Sequence, residues 1–285
     1  MIIFHDPRCV EYFAPGHPER PERLTKSAQQ LRAAHPTWEW RQPKEATDID
    51  LLRAHSPEHV ERVLHARHDF DVDTPAYPGI FGHAARASGA ACEVARASLG
   101  GAPAFSLMRP PGHHATRQQA MGFCFFNHVA VAAFHALAHG AERVAIWDFD
   151  AHHGNGTEAI VAGEPRIVFA SIHQFPGYPG TGSKSLGNIH NFTVRPHASR
   201  AVHRDAVEKA LRTLLEFQPD LLLVSAGFDA FRGDPITEMT LEADDFAQFG
   251  TWLRETKVPA GAILEGGYSN ELPQLIDSFL SHWTA

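Results

Sequence analysis

Cysteine is scarce in this chain, and the three that occur, Cys9, Cys92 and Cys124, stand far apart with no C-x-x-C pair. That argues against a disulfide framework and against a zinc site built from cysteine. No apolar run approaches the roughly 20 residues that a membrane-spanning helix needs. The opening Met1-Ile2-Ile3-Phe4-His5-Asp6 has too short an apolar run for a signal peptide and no basic region before it. It reads as a first strand, and the cytoplasm is the expected location. Net positive charge is missing as well: the formal charge is −8, which disfavours nonspecific binding to nucleic acid or to an anionic membrane. There is no internal repeat, linker or low-complexity segment, so a single domain over 1–285 is expected.

What the chain does have is histidine. Twenty are present, several beside Asp or Gly, a bias expected of a site-rich enzyme more than of a structural domain. Hydrophobic residues at 44% supply a large core. Helical periods fall at 20–34, 56–68, 79–99, 123–139, 199–217, 241–256 and 272–283. Short apolar runs at 104–108, 144–149, 166–172, 221–226 and 259–265 read as buried strands, and 69–78 and 175–187 as loops. Strands alternating with helices predict an α/β fold whose parallel sheet is covered on both faces.

The densest chemistry lies in Asp148-Phe149-Asp150-Ala151-His152-His153-Gly154-Asn155-Gly156, where a buried strand runs into metal-ligand side chains. Asp150 and His152, two residues apart, project to one side of an extended segment, and a carboxylate with an imidazole suits Zn²⁺. Asp229, in the glycine-bent Ser225-Ala226-Gly227-Phe228-Asp229, is the best third ligand. Two Asp and one His leave an open position, which is the mark of catalysis: a bound water is acidified and a carbonyl polarised. The adjacent His113 and His114 can divide proton transfer from charge stabilisation. Tyr268 also follows a strand. All these groups fall past the carboxyl ends of strands, where open α/β sheets bind ligands.

The motifs His17-Pro18-Glu19-Arg20-Pro21-Glu22-Arg23, Arg109-Pro110-Pro111-Gly112-His113-His114-Ala115, Gly122-Phe123-Cys124-Phe125-Phe126-Asn127, Asp148 to Thr157, Ser225 to Asp229 and Glu265-Gly266-Gly267-Tyr268 resemble the histone deacetylase family over nearly the whole chain. Class II-like bacterial amidohydrolases are the nearest group. The resemblance implies the arginase-deacetylase fold, an eight-stranded parallel sheet with helices on both faces. It also implies hydrolysis of acyl-amines by water on one zinc ion held by Asp150, His152 and Asp229. His114 would be the general base and acid, His113 its electrostatic partner, and Tyr268 the donor to the oxyanion. Asp148 would orient His113, and Asn155 would orient His114 where other classes hold an aspartate. Phe123 and Tyr178 would line a narrow tunnel, Asp73 would hold substrate backbone amides at its rim, and Arg23 would lie beneath the site. A structural potassium is implied near Asp148, Asp150, His152, Ser171 and Ile172.

The chain is shorter than many members of that family. Loops that shape the tunnel mouth, or build a dimer in the polyamine-hydrolysing relatives, are expected to be reduced, which leans toward a monomer. Ile236 stands where the polyamine-selective eukaryotic member has a glutamate, so an acylated lysine peptide is favoured over an acylated polyamine. Two readings of other classes stand beside these: a catalytically silent acyl-lysine binding module, and an arginase-like two-metal enzyme. The second would call for more bridging aspartates between Asp148 and His152.

Overall fold

Successive residues of Val144–Asp148 point to opposite sides of a sheet, and both sides are apolar. Val144 and Ile146 enter one hydrophobic layer, Ala145 and Trp147 the other. Leu221 and Leu223 in the neighbouring strand likewise separate from Leu222 and Val224. This two-sided burial is why the strands read as continuous apolar runs, and it requires helices on both faces.

A computed structural model describes all residues 1–285. Eight strands form one sheet: β1 (Ile2–Phe4), β2 (Glu39–Arg41), β3 (Ala104–Ser106), β4 (Val144–Asp148), β5 (Ile167–Gln174), β6 (Ile189–Val194), β7 (Leu221–Ala226) and β8 (Ala260–Leu264). Their order is β2-β1-β3-β8-β7-β4-β5-β6, and every pairing is parallel. The helices are α1 (Glu22–Ala34), α2 (Asp48–Ala54), α3 (Pro57–Leu64), α4 (Ile80–Leu99), α5 (His128–Ala138), α6 (Asn155–Val161), α7 (Arg200–Glu216), α8 (Ala243–Glu255) and α9 (Leu272–Trp283). α1, α7, α8 and α9 feed one apolar layer; α2, α3, α5 and α6 feed the other. No helix is long and apolar enough to cross a membrane.

The expected α/β architecture is present, with local differences. The helix expected from 123 begins at His128, because Asn127 caps it by accepting the Ala130 amide at 3.0 Å. Phe123 lies before it in a turn, with φ of 69°. Strands β2 and β6 and helices α2 and α6 were not anticipated. The consequence for function lies in the order of the sheet. The four strands whose carboxyl ends carry the reactive residues, β3, β8, β7 and β4, are consecutive neighbours, so their loops converge on one spot.

Candidate active site

The loop after β4 turns tightly enough to bring Asp150 and His152 against Asp229 from the loop after β7. One ligand atom from each lies within 4.8 Å of the others. His152 Nδ1 sits 2.8 Å from Asp229 Oδ2 and 3.2 Å from Asp150 Oδ1. Both carboxylates are fully buried, and two buried acids so close repel unless a proton or a cation neutralises one of their charges. Space for those oxygens comes from two glycines: a Cβ on Gly227 would overlap the Asp150 carboxylate, and one on Gly266 the Asp229 carboxylate. The donor set therefore fits a divalent ion with N and O ligands.

The turn after β3 presents two histidines with unlike surroundings. His113 Nδ1 lies 3.0 Å from Asp148 Oδ2, and its Nε2 is 3.7 Å from Asp150 Oδ1. Burial alone would depress its pKa, but the charges of Asp150 and Asp148 prevail and raise it to about 10. His114 Nδ1 donates instead to the uncharged Asn155 Oδ1 at 2.7 Å. Burial, then the charges of His113 and His152, hold its pKa well below the usual value. One imidazole is thus kept charged and its neighbour neutral. The amides of Gly156 and Thr157, both 3.1 Å from the His113 carbonyl, hold this turn in place.

A cleft of about 230 Å³ descends to this cluster, lined by Asp73, His114, Gly122, Phe123, His152, Tyr178, Ile236 and Tyr268. It brings together all four residues expected to contact substrate. The Tyr178 ring meets His114 edge-on at 5.1 Å, and Phe123 meets Tyr268 edge-on at 5.7 Å. Gly122, with φ of 56°, brings the backbone against the histidine: a Cβ there would lie 2.5 Å from the His114 ring. Burial raises the Tyr268 pKa well above its usual value, so its hydroxyl keeps its proton. At the mouth, burial and the adjacent Asp71 raise Asp73 to about 6. Arg23 lies beneath, with its guanidinium 4.7 Å from the Tyr268 ring centre and its Nε donating to the Gly267 carbonyl at 2.7 Å. Asp148 and Ser171 face each other across the β4–β5 register, and Ile172 follows in β5.

Three contributors were not foreseen. Glu265 accepts the Gly112 and His113 amides at 2.6 and 3.1 Å, which ties the histidine turn to β8. Its position directly before Gly266-Gly267-Tyr268 was the available signal. Asp234 accepts the Tyr268 amide at 2.7 Å. His17 packs edge-on against Phe123 at 4.6 Å and reaches the Asp73 carbonyl at 3.1 Å. Its place at the head of the His17 to Arg23 motif was the signal available.

A parallel α/β sheet with an Asp₂His cluster, a histidine pair and a tyrosine at its carboxyl edge defines a class of metal-dependent hydrolase sites. The chain belongs to the histone deacetylase domain family, which it matches over residues 17–283. It is 42% identical over 280 residues to the uncharacterized protein slr0245 of Synechocystis sp., covering 93% of this chain and 91% of that one. It is 38% identical over 280 residues to the histone deacetylase-like amidohydrolase of Pseudomonas aeruginosa, covering 90% and 73%. The solved acetylpolyamine aminohydrolase of Burkholderia pseudomallei superposes with a TM-score of 0.91 at 27% identity, over 100% of this chain and 99% of that one.

Proposed function

We propose that the chain is a zinc-dependent amidohydrolase that removes acyl groups, acetyl foremost, from lysine-like amines. The observation that carries this is the convergence of His114, His152 and Tyr268 on one cleft, with Asp150 and Asp229 behind them. Asp150, His152 and Asp229 would hold the ion, whose chemistry when bound is to acidify a water and polarise a carbonyl. Because Nδ1 of His114 is committed to Asn155, its Nε2 is left as the acceptor. That nitrogen takes the proton of the attacking water and returns it to the leaving amine. His113, kept charged by Asp148, stabilises the negative charge that develops, and the Tyr268 hydroxyl donates to the oxyanion. A structural potassium beside Asp148 and Ser171, drawing on Asp150, His152 and Ile172, belongs to the same proposal.

Phe123 and Tyr178 suit a slim methylene stem, since aromatic walls gain area against methylenes. Asp73 at the rim accepts hydrogen bonds from a peptide backbone, while Ile236 offers a distal ammonium no partner. An acylated peptide is therefore favoured. The acidic Asp71 and Asp73 are the observation that supports a polyamine as second reading, and the Burkholderia relative is named for that substrate.

The test is turnover by metal-analysed protein of an acetyl-lysine peptide, acetylputrescine and acetylspermidine side by side, with Tyr268→Phe as control. The variant should lose roughly two to three powers of ten in kcat while retaining metal. A metal-loaded wild-type protein that binds acetyl-lysine without turnover would replace the enzyme by a binding module. A tenfold preference for either polyamine, about 1.4 kcal/mol, would overturn the peptide assignment.

A further inference from the structure

Away from the cleft, three helices bring unlike donors together. Asp50 of α2, Cys92 of α4 and His135 of α5 present ligand atoms that all lie within 4.8 Å of one another. Asp50 Oδ1 is already 2.9 Å from His135 Nδ1. Cys92 is buried, while the side chains of Asp50 and His135 keep 12% and 14% of their surface exposed, so an ion can reach the trio from solvent. Neither Cys9 nor Cys124 belongs to such a group.

We propose that Asp50, Cys92 and His135 form a second cation site, structural in kind and selective for a zinc-class ion. A thiolate with an imidazole favours zinc over magnesium or calcium, and the carboxylate completes a three-residue set whose fourth position falls to water. Binding releases the thiol proton to solvent, since burial keeps Cys92 protonated until a metal displaces it. Arg53 competes for the same carboxylate: its guanidinium pairs with the Asp50 oxygen that His135 also meets. That side chain is 29% exposed and free to swing into water. The ion would pin α2 and α4 to α5. Asn127, at the head of α5, holds the Ala115 carbonyl at 3.1 Å and the His113 carbonyl at 3.4 Å, so the clamp steadies the helix beneath the histidine turn. The inference stands apart from the amidohydrolase reading, because the cleft cluster contains no cysteine.

Cobalt distinguishes the two clusters. Protein carrying its catalytic metal is titrated with Co²⁺ and followed in the near ultraviolet, where only thiolate ligation gives an intense charge-transfer band. A band that grows to one further equivalent, is absent in Cys92→Ser and survives in Cys124→Ser is the expected result. His135→Asn, at a partly exposed position, should weaken cobalt binding at least tenfold even if Cys92→Ser folds poorly. Arg53→Ala, which removes the competing cation, should tighten it by roughly threefold to tenfold. No band at saturation, a band that persists in Cys92→Ser, or unchanged affinity in both His135→Asn and Arg53→Ala would overturn the site.

Discussion

His114 Nδ1 donates to an amide oxygen, that of Asn155 at 2.7 Å, whereas His113 beside it faces the carboxylate of Asp148. Asparagine fixes the tautomer of His114 without supplying a charge that would stabilise its protonated form. Asn155→Asp would add that charge. The acid limb of the kcat/KM profile should therefore move to higher pH by roughly one unit or more. A limb that stays in place would show that His114 is not the group whose deprotonation the profile reports.

Asp73 titrates near the working range because burial and the carboxylate of Asp71 raise it to about 6. Only its ionised form accepts two amide hydrogen bonds, so KM for a peptide substrate should rise as pH falls below about 6, with kcat little changed. Asp71→Asn removes the neighbouring charge and should carry that rise to lower pH. If KM is flat from pH 5 to 7.5, Asp73 does not hold the substrate.

The site was more legible than its surroundings, for physical reasons. Asp150, His152 and Asp229 follow strands buried on both faces, and such strands announce themselves as apolar runs. Strand β2, Glu39–Arg41, lies at the sheet's edge with its two charged residues exposed, so neither alternation nor an apolar run marks it. β6 is also an edge strand, and His190 and Asn191 interrupt its pattern. Helix α6 opens on Asn155-Gly156, residues that read as loop. Phe123 was drawn into the helix that follows because the apolar stretch Phe125-Phe126 continues into it; the left-handed turn at Gly122 and Phe123 has no signature beyond that glycine. The contributions of Glu265, Asp234 and His17 depend on contacts between residues far apart in the chain, which spacing cannot reveal.

Buried histidines outside the cleft make the fold acid-sensitive, and His128 and His203 show how. His128 Nε2 donates to the Pro110 carbonyl at 3.0 Å and its Nδ1 lies 2.8 Å from the Ser88 hydroxyl, so the ring is satisfied without a countercharge. Both ring nitrogens of His203 lack partners. Burial lowers each pKa to about 4. The folded pKa lies below the unfolded value of about 6.5, so the unfolded chain binds more protons as pH falls. Stability is thus intact above pH 6.5 and declines from there toward pH 4, by roughly 2 kcal/mol per histidine at pH 5. Urea midpoints at pH 7 and 5 measure this. His203→Leu should remove its own share, roughly 2 kcal/mol, while His55 and His173, which burial lowers to about 3, keep much of the rest; an unaltered difference would clear His203 of responsibility.

A buried ion cluster around Glu19 sets the last expectation. Glu19 grips Arg109 through both carboxylate oxygens and Arg23 at 3.2 Å, with the Tyr12 hydroxyl also donating to it. Arg109 is fully buried, and Glu19 is 2% exposed. Two guanidinium groups sharing one acid are tolerable only while that acid is ionised, and the attraction of Arg109 holds the Glu19 pKa low despite burial. Glu19→Gln keeps the shape and deletes the charge, leaving two buried cations facing a neutral amide. The loss should reach roughly 3–5 kcal/mol in guanidinium unfolding. Glu208→Gln, which breaks the solvent-exposed pair with Arg212 on α7, should cost less than about 1 kcal/mol. Because Arg23 also holds the Gly267 carbonyl beside Tyr268, Glu19→Gln should lower kcat in the protein that remains folded. Equal losses for the two substitutions would mean that water reaches Glu19, and the cluster could not then be what steadies the tyrosine turn.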